Sequence, residues 1–144
     1  MNRTKCVSQF CRINVARGAG VCAPHKPFLI TLILGMVFQR GHRNYFSYEE
    51  IAEPLGFLLD KYGFRNANNS NMPFWHLGND GFWNLTDKDG KNINTSGNCL
   101  SRNRMIEMGL HGSLDEGLYY YLVSHSKEIP EIAREILPHL VPSL

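Results

Sequence analysis

A chain of 144 residues, 43% hydrophobic and 11% aromatic, has the size of one domain and enough apolar material for a core, which excludes disorder along its whole length. Its longest apolar run, Pro27 to Phe38, is shorter than the roughly 20 residues of a membrane span and starts too late for a secretory signal, so a soluble cytoplasmic protein is expected. Net charge is +2, yet residues 1–48 hold seven Lys and Arg and no acid, while residues 49–144 hold eight basic and thirteen acidic side chains, a balance of +7 against −5; such asymmetry points to one face suited to a polyanion.

In chain order, apolar residues at Cys6, Val7, Phe10, Cys11, Ile13 and Val15 predict an amphipathic helix over 6–16, broken by Arg17-Gly18-Ala19-Gly20. Pro24 and Pro27 bracket His25-Lys26, and Pro27 suits the first turn of the next helix. Residues 28–40 are apolar almost all round, which predicts a buried central helix ending at Gly41. Ser47 and Glu50 form a capping box that opens a helix to about Tyr62, before Gly63. After a polar loop over 65–71, two aromatic segments, 73–77 and 82–85, flank Gly78-Asn79-Asp80-Gly81 and predict a β-hairpin. A polar loop over 87–98 precedes helices at about 100–109, 114–124 and 128–139, with Pro130 in the first turn of the last. The expected fold is one mostly α domain, 1–144, with a single aromatic hairpin: an α+β arrangement of winged-helix-like kind.

Cys6, Cys11, Cys22 and His25 have the ligand types and approximate spacing of a zinc knuckle. Against it, Cys6 and Cys11 fall on the apolar positions of the predicted helix, where cysteine acts as a small hydrophobe, so no metal or other cofactor is expected. Catalysis has little support. Asp80 belongs to a turn, Asp87 and Asp89 to a polar loop beside Lys88 and Lys91, and no phosphate-cradling glycine motif or Ser-His-acid set stands out. His111, His125 and His139 read as surface or cap residues. What structure alone explains least is Pro24-His25-Lys26-Pro27, which sets two nitrogen donors at a helix start where anions are attracted, and Asn71-Met72-Pro73-Phe74-Trp75-His76, which sets apolar groups just after a polar loop.

Those two segments, with Gln39-Arg40-Gly41, Glu53-Pro54-Leu55, Leu58-Leu59 and the run from Pro73 to Trp83, resemble the sulfur-binding domain that recognises DNA phosphorothioate in type IV restriction endonucleases. The likeness extends from about Gln9 to Ile136-Leu137-Pro138-His139-Leu140. In that family the domain is typically followed by an HNH nuclease, and no HNH segment is seen in this chain, so the resemblance implies a reader of modified duplex DNA rather than an enzyme. The family commonly has Arg where this chain has Lys26, and Tyr where it has Met72. The first difference loses bidentate contacts; the second alters the sulfur pocket. Two other readings stand beside this one: a zinc-dependent interaction module, and the non-catalytic part of a split nuclease.

The resemblance implies a chemistry that follows from elementary physics. Sulfur in place of a non-bridging oxygen is larger, more polarisable and a weaker hydrogen-bond acceptor. An oxygen anion forced into an apolar cavity loses several kcal/mol of hydration, and sulfur loses less. The expected pocket is lined by Met72, Pro73 and the flanks of Phe74 and His76. Arg17, His25, Lys26 and Arg43 are expected on the phosphate backbone, and side chains near Asn71 on base edges.

Overall fold

The computed structural model describes residues 1–13, 17–18, 21–22, 25–41, 43–61 and 70–140, without the side chains of 17–18, 21–22, Arg40, His139 and Leu140. Seven helices are described: α1 (Arg3–Cys11), α2 (His25–Arg40), α3 (Tyr48–Lys61), α4 (Asn71–His76), α5 (Arg102–Glu107), α6 (Glu116–Ser124) and α7 (Ile129–Leu140). Two-residue strands β1 (Arg17–Gly18) and β2 (Val21–Cys22) pair with each other. The second sheet has the order β3-β5-β4, all antiparallel, built from β3 (Phe46–Ser47), β4 (Trp83–Thr86) and β5 (His111–Leu114). The mostly helical α+β expectation holds.

α2 is the hub. Its apolar surface buries Phe28, Leu29, Ile30, Ile33, Leu34 and Val37, and it packs against α3, α4, α6 and α7. It ends at Gly41, as the sequence predicts. The capping box forms too. Glu50 accepts from both the backbone N–H and the hydroxyl of Ser47, and its own N–H donates to Ser47 Oγ at 3.2 Å. α1 is shorter than the 6–16 expectation and starts earlier, because the Asn2 side chain caps it by accepting from the Lys5 N–H. The expected end of α3 at Tyr62-Gly63 lies outside the described residues.

The aromatic hairpin is a correction. Residues 71–76 are helical and continue through a 3-10 turn, Leu77–Asn79, while β4 pairs with β5 in place of 73–77. Pro73 is the third residue of α4, where its missing N–H costs no helical bond. The aromatic residues that suggested a strand are buried by tertiary packing: Trp83 meets Phe74 edge-on at 5.5 Å, and its indole N–H donates to the Phe74 carbonyl at 3.1 Å. The chain does bend at Asp80-Gly81, with Gly81 at φ +90°, but the bend joins the 3-10 turn to β4 and not two strands. β5, His111–Leu114, lies between the helices that the sequence predicts at 100–109 and 114–124 and takes the first residue of the second. Gly112 is required there, since a Cβ would come within 1.9 Å of the Trp83 ring.

Candidate nucleic-acid interface

The first turn of α2 presents His25 and Lys26. Lys26 Nζ lies 2.7 Å from Asp80 Oδ2, with side chains only 13% and 6% exposed. This pair ties the start of α2 to the bend that follows α4 and its 3-10 turn. Its cost is that the Lys26 charge is largely answered inside the protein. His25 is half-buried, and burial holds its pKa below the ordinary 6.5, which keeps the ring neutral near pH 7.

α4 is pinned on several sides. The Tyr48 and Ser70 hydroxyls share a buried hydrogen bond at 2.8 Å. The Asn71 amide donates to the Leu100 carbonyl at 3.0 Å, and the Trp75 indole to the Gly97 carbonyl. Beyond the helix, Thr95 donates to Asn79 Oδ1 at 2.9 Å and lies against Gly78, where a side chain would collide with it. The consequence is a rigid segment with few outward groups. Met72 is 41% exposed and His76 half-buried. Four residues apart, they share one face of the helix. Pro73 is buried, Phe74 is wholly buried against Tyr48 and Trp83, and Asn71 turns its amide inward. Phe74 therefore supports the surface from below and presents no ring flank to a partner.

Arg43 sits beyond the opposite end of α2, whose 16 residues span about 24 Å. It is exposed, and its guanidinium carbon lies 4.8 Å from the centre of the Tyr45 ring. Tyr45 in turn stacks on His111 at 4.1 Å with planes 23° apart. His111 is fixed through Nε2 to the Thr86 hydroxyl and through Nδ1 to the Gly109 carbonyl at 3.3 Å. Asn44 exchanges two hydrogen bonds with the backbone of Leu114, 2.7 and 2.8 Å, and so extends the β3–β5 pairing up to Arg43. Arg17 lies in β1, its side chain outside the described residues.

Tyr45, Asp80, Thr95 and His111 were not among the sequence candidates. Apart from the near neighbours Arg43 and Gly109, their partners lie 16 to 66 residues away, beyond the reach of any local pattern. The N-terminal charge also divides on inspection. Arg3 is held by Glu131 and Glu135 of α7 at 2.9 and 2.7 Å, with Glu128 at 3.6 Å, and these carboxylates raise its pKa further. Of the knuckle candidates, Cys6 lies on α1 wholly buried, its thiol pushed up to about 12 by desolvation, and Cys11 is half-buried beside it. The Cys22 side chain is outside the described residues; among those described, no three His, Cys, Asp or Glu groups converge as a metal site. Nor is any described helix long and apolar enough to cross a membrane.

A family model described as "ScoMcrA-like, DNA sulfur-binding domain" matches residues 3–142. No curated protein matches the chain. Among solved structures, the sulfur-binding domain of ScoMcrA complexed with phosphorothioated DNA is similar at TM-score 0.78 and 19% identity, over 93% of this chain and 85% of that one. The sulfur-binding domain of SprMcrA, also complexed with phosphorothioated DNA, is similar at TM-score 0.75 and 20% identity over 99% and 87%. The type IV phosphorothioation-dependent restriction endonuclease ScoMcrA matches at TM-score 0.74 and 18% identity, over 93% of this chain and only 29% of that protein. At these identities the likeness establishes a shared fold.

Proposed function

This chain belongs to the ScoMcrA-like DNA sulfur-binding domain family, and on that premise we propose that it reads phosphorothioate-modified duplex DNA and performs no catalysis itself. One observation supports the reading most. The Lys26–Asp80 pair ties the first turn of α2 to the bend that follows α4 and its 3-10 turn, and α2 packs on α4, the helix that bears Met72, Pro73 and His76, the residues the resemblance assigns to sulfur. Sulfur rests on the face that Met72 and His76 share, with Pro73 beneath and His25 at the border. Met72 suits a soft, polarisable contact, and a proline ring offers no N–H to an oxygen.

Discrimination then works by penalising the wrong partner. An ordinary phosphate oxygen seated on that face gives up water and gains no donor, whereas sulfur has less hydration to lose. Affinity common to both DNAs comes from exposed cations, Arg43 among them. A nuclease activity belongs, in this reading, to a separate HNH domain and not to the residues described here. Such a reader works on DNA in the cytoplasm.

The test is a titration of one duplex with and without a single phosphorothioate of defined stereochemistry, at one salt concentration. The modified duplex should bind at least about tenfold more tightly, a difference of roughly 1.4 kcal/mol. Equal affinity for the two duplexes would overturn the proposal.

A further inference from the structure

We propose that the grooved face of α3, with the adjoining edge of α5, docks a basic amphipathic helix of a protein partner. The surface uses none of the residues proposed to read DNA. A lone exposed ring is common on proteins. Phe57, 66% exposed on α3, is a different case, because it and Glu53 line two grooves. The larger, about 530 Å³, is bounded by α3 and α5; the smaller, about 490 Å³, by α3 and Leu32 of α2. Along α3 the larger groove takes positions 49, 52, 53, 56, 57 and 60. That is the spacing of one helical face, and it extends over about 16 Å, three turns. Such a stripe is matched by a second helix laid along it. Ala52 and Gly56 are small enough for a close approach, while Phe57 and the 42%-exposed Ile106 of α5 offer apolar anchors.

Charge selects the occupant. Glu49, Glu53 and Asp60 are exposed along this groove, and Arg102 is the one cation lining it, so three carboxylates against one guanidinium leave it at −2. A phosphate backbone is repelled there. A helix with Lys or Arg flanking its apolar stripe meets carboxylates instead. A second copy of this chain does not supply that helix. The described helices that carry Lys or Arg and no acid are α1 and α2, and both turn apolar residues into their own core, Cys6 and Phe10 from the first and Leu29 to Val37 from the second.

The experiment titrates a labelled peptide of about 18 residues, long enough to hold a helix, against the full chain. It carries leucine along one helical face and lysine elsewhere; its counterpart carries glutamate in place of lysine. The lysine peptide should bind and the glutamate peptide should not. Phe57→Ala should weaken binding at least about fivefold, as loss of a central aromatic anchor does. Glu53→Gln with Asp60→Asn should weaken it about threefold and flatten its salt dependence. Asp89→Asn, an exposed carboxylate in a loop, should change nothing. Thermal melts confirm that each variant folds. Equal binding of the two peptides, parent-like binding by Phe57→Ala, or an equal loss from Asp89→Asn would each overturn the proposal. So would a loss of duplex binding by Phe57→Ala, which gives the face to DNA. Self-association of the parent that Phe57→Ala abolishes, followed by sedimentation, gives it to a second copy and overturns the proposal as well. The peptide titration contains no DNA, so failure of the sulfur-reading function leaves its outcome unaffected.

Discussion

At the N-terminal end of α2, Lys26 is closed over by Asp80, whereas beyond the C-terminal end Arg43 is exposed and lies over the Tyr45 ring. Both belong to the acid-free first 48 residues, and in a charge count they are equivalent. In the fold they are not. The first is largely neutralised where it stands, and Arg3, gripped by α7 carboxylates, is spent in a similar way. One charge is buried against a carboxylate and the other is exposed over a ring, and the carboxylates that answer Lys26 and Arg3 come from residues far along the chain.

The largest expected effect is on stability. Asp80→Ala leaves the Lys26 charge nearly buried without this carboxylate, which costs about 3–5 kcal/mol, and Lys26→Ala should also destabilise. For a domain of this length that lowers Tm by about 10 °C or more. Arg43→Ala should stay within about 0.5 kcal/mol of the parent, as exposed substitutions do. Thermal melts of the three variants side by side check this, and an equal loss at both ends would erase the distinction.

Replacing the pair by apolar side chains, Lys26→Met with Asp80→Leu, sharpens the comparison. With no orphaned charge, most of the stability lost in the single variants should return. If the Lys26 charge is already answered by Asp80, the salt dependence of DNA binding should also hardly move. A slope shallower by a full charge would mean that Lys26 leaves Asp80 for the backbone.

How far the sequence reached follows from the same contrast. α2, the Ser47–Glu50 cap and α7 with Pro130 in its first turn are legible because each depends on residues within a turn or two of one another. So is the bend at Asp80-Gly81. The first aromatic segment was misread as a strand because Phe74 and Trp75 are chosen by burial, and burial does not distinguish a strand from a short helix. The four residues His111–Leu114 gave no strand signal, since Gly112 is dictated by Trp83 across the sheet and not by its neighbours in sequence. Met72 and His76 were found as site candidates and do share an outward face, while Phe74 and Asn71 turn inward. The bond from Lys26 to Asp80 is not legible in the sequence, because the two lie 54 residues apart.

A smaller effect concerns pH at the N-terminal end. Burial keeps folded His25 neutral below 6.5, where the unfolded chain already takes up a proton. Stability from this residue is therefore complete above about pH 6.5, declines as pH falls through that value, and levels off once the folded ring is protonated as well. His25→Gln should flatten this part of a stability–pH profile measured by denaturant melts. Arg43→Ala, at the other end, should leave it unchanged.

The central claim is that the α4 face supplies sulfur preference and exposed cations such as Arg43 supply general affinity. It is tested most directly by titrating Met72→Ala and Arg43→Ala together against matched modified and plain duplexes over a range of salt. Met72→Ala should lower the ratio of sulfur to oxygen affinity and keep the parent's salt slope. Arg43→Ala should keep the ratio and flatten the slope by about one charge. If both variants shift the same quantity, the two ends of α2 do not divide the work and the account is wrong.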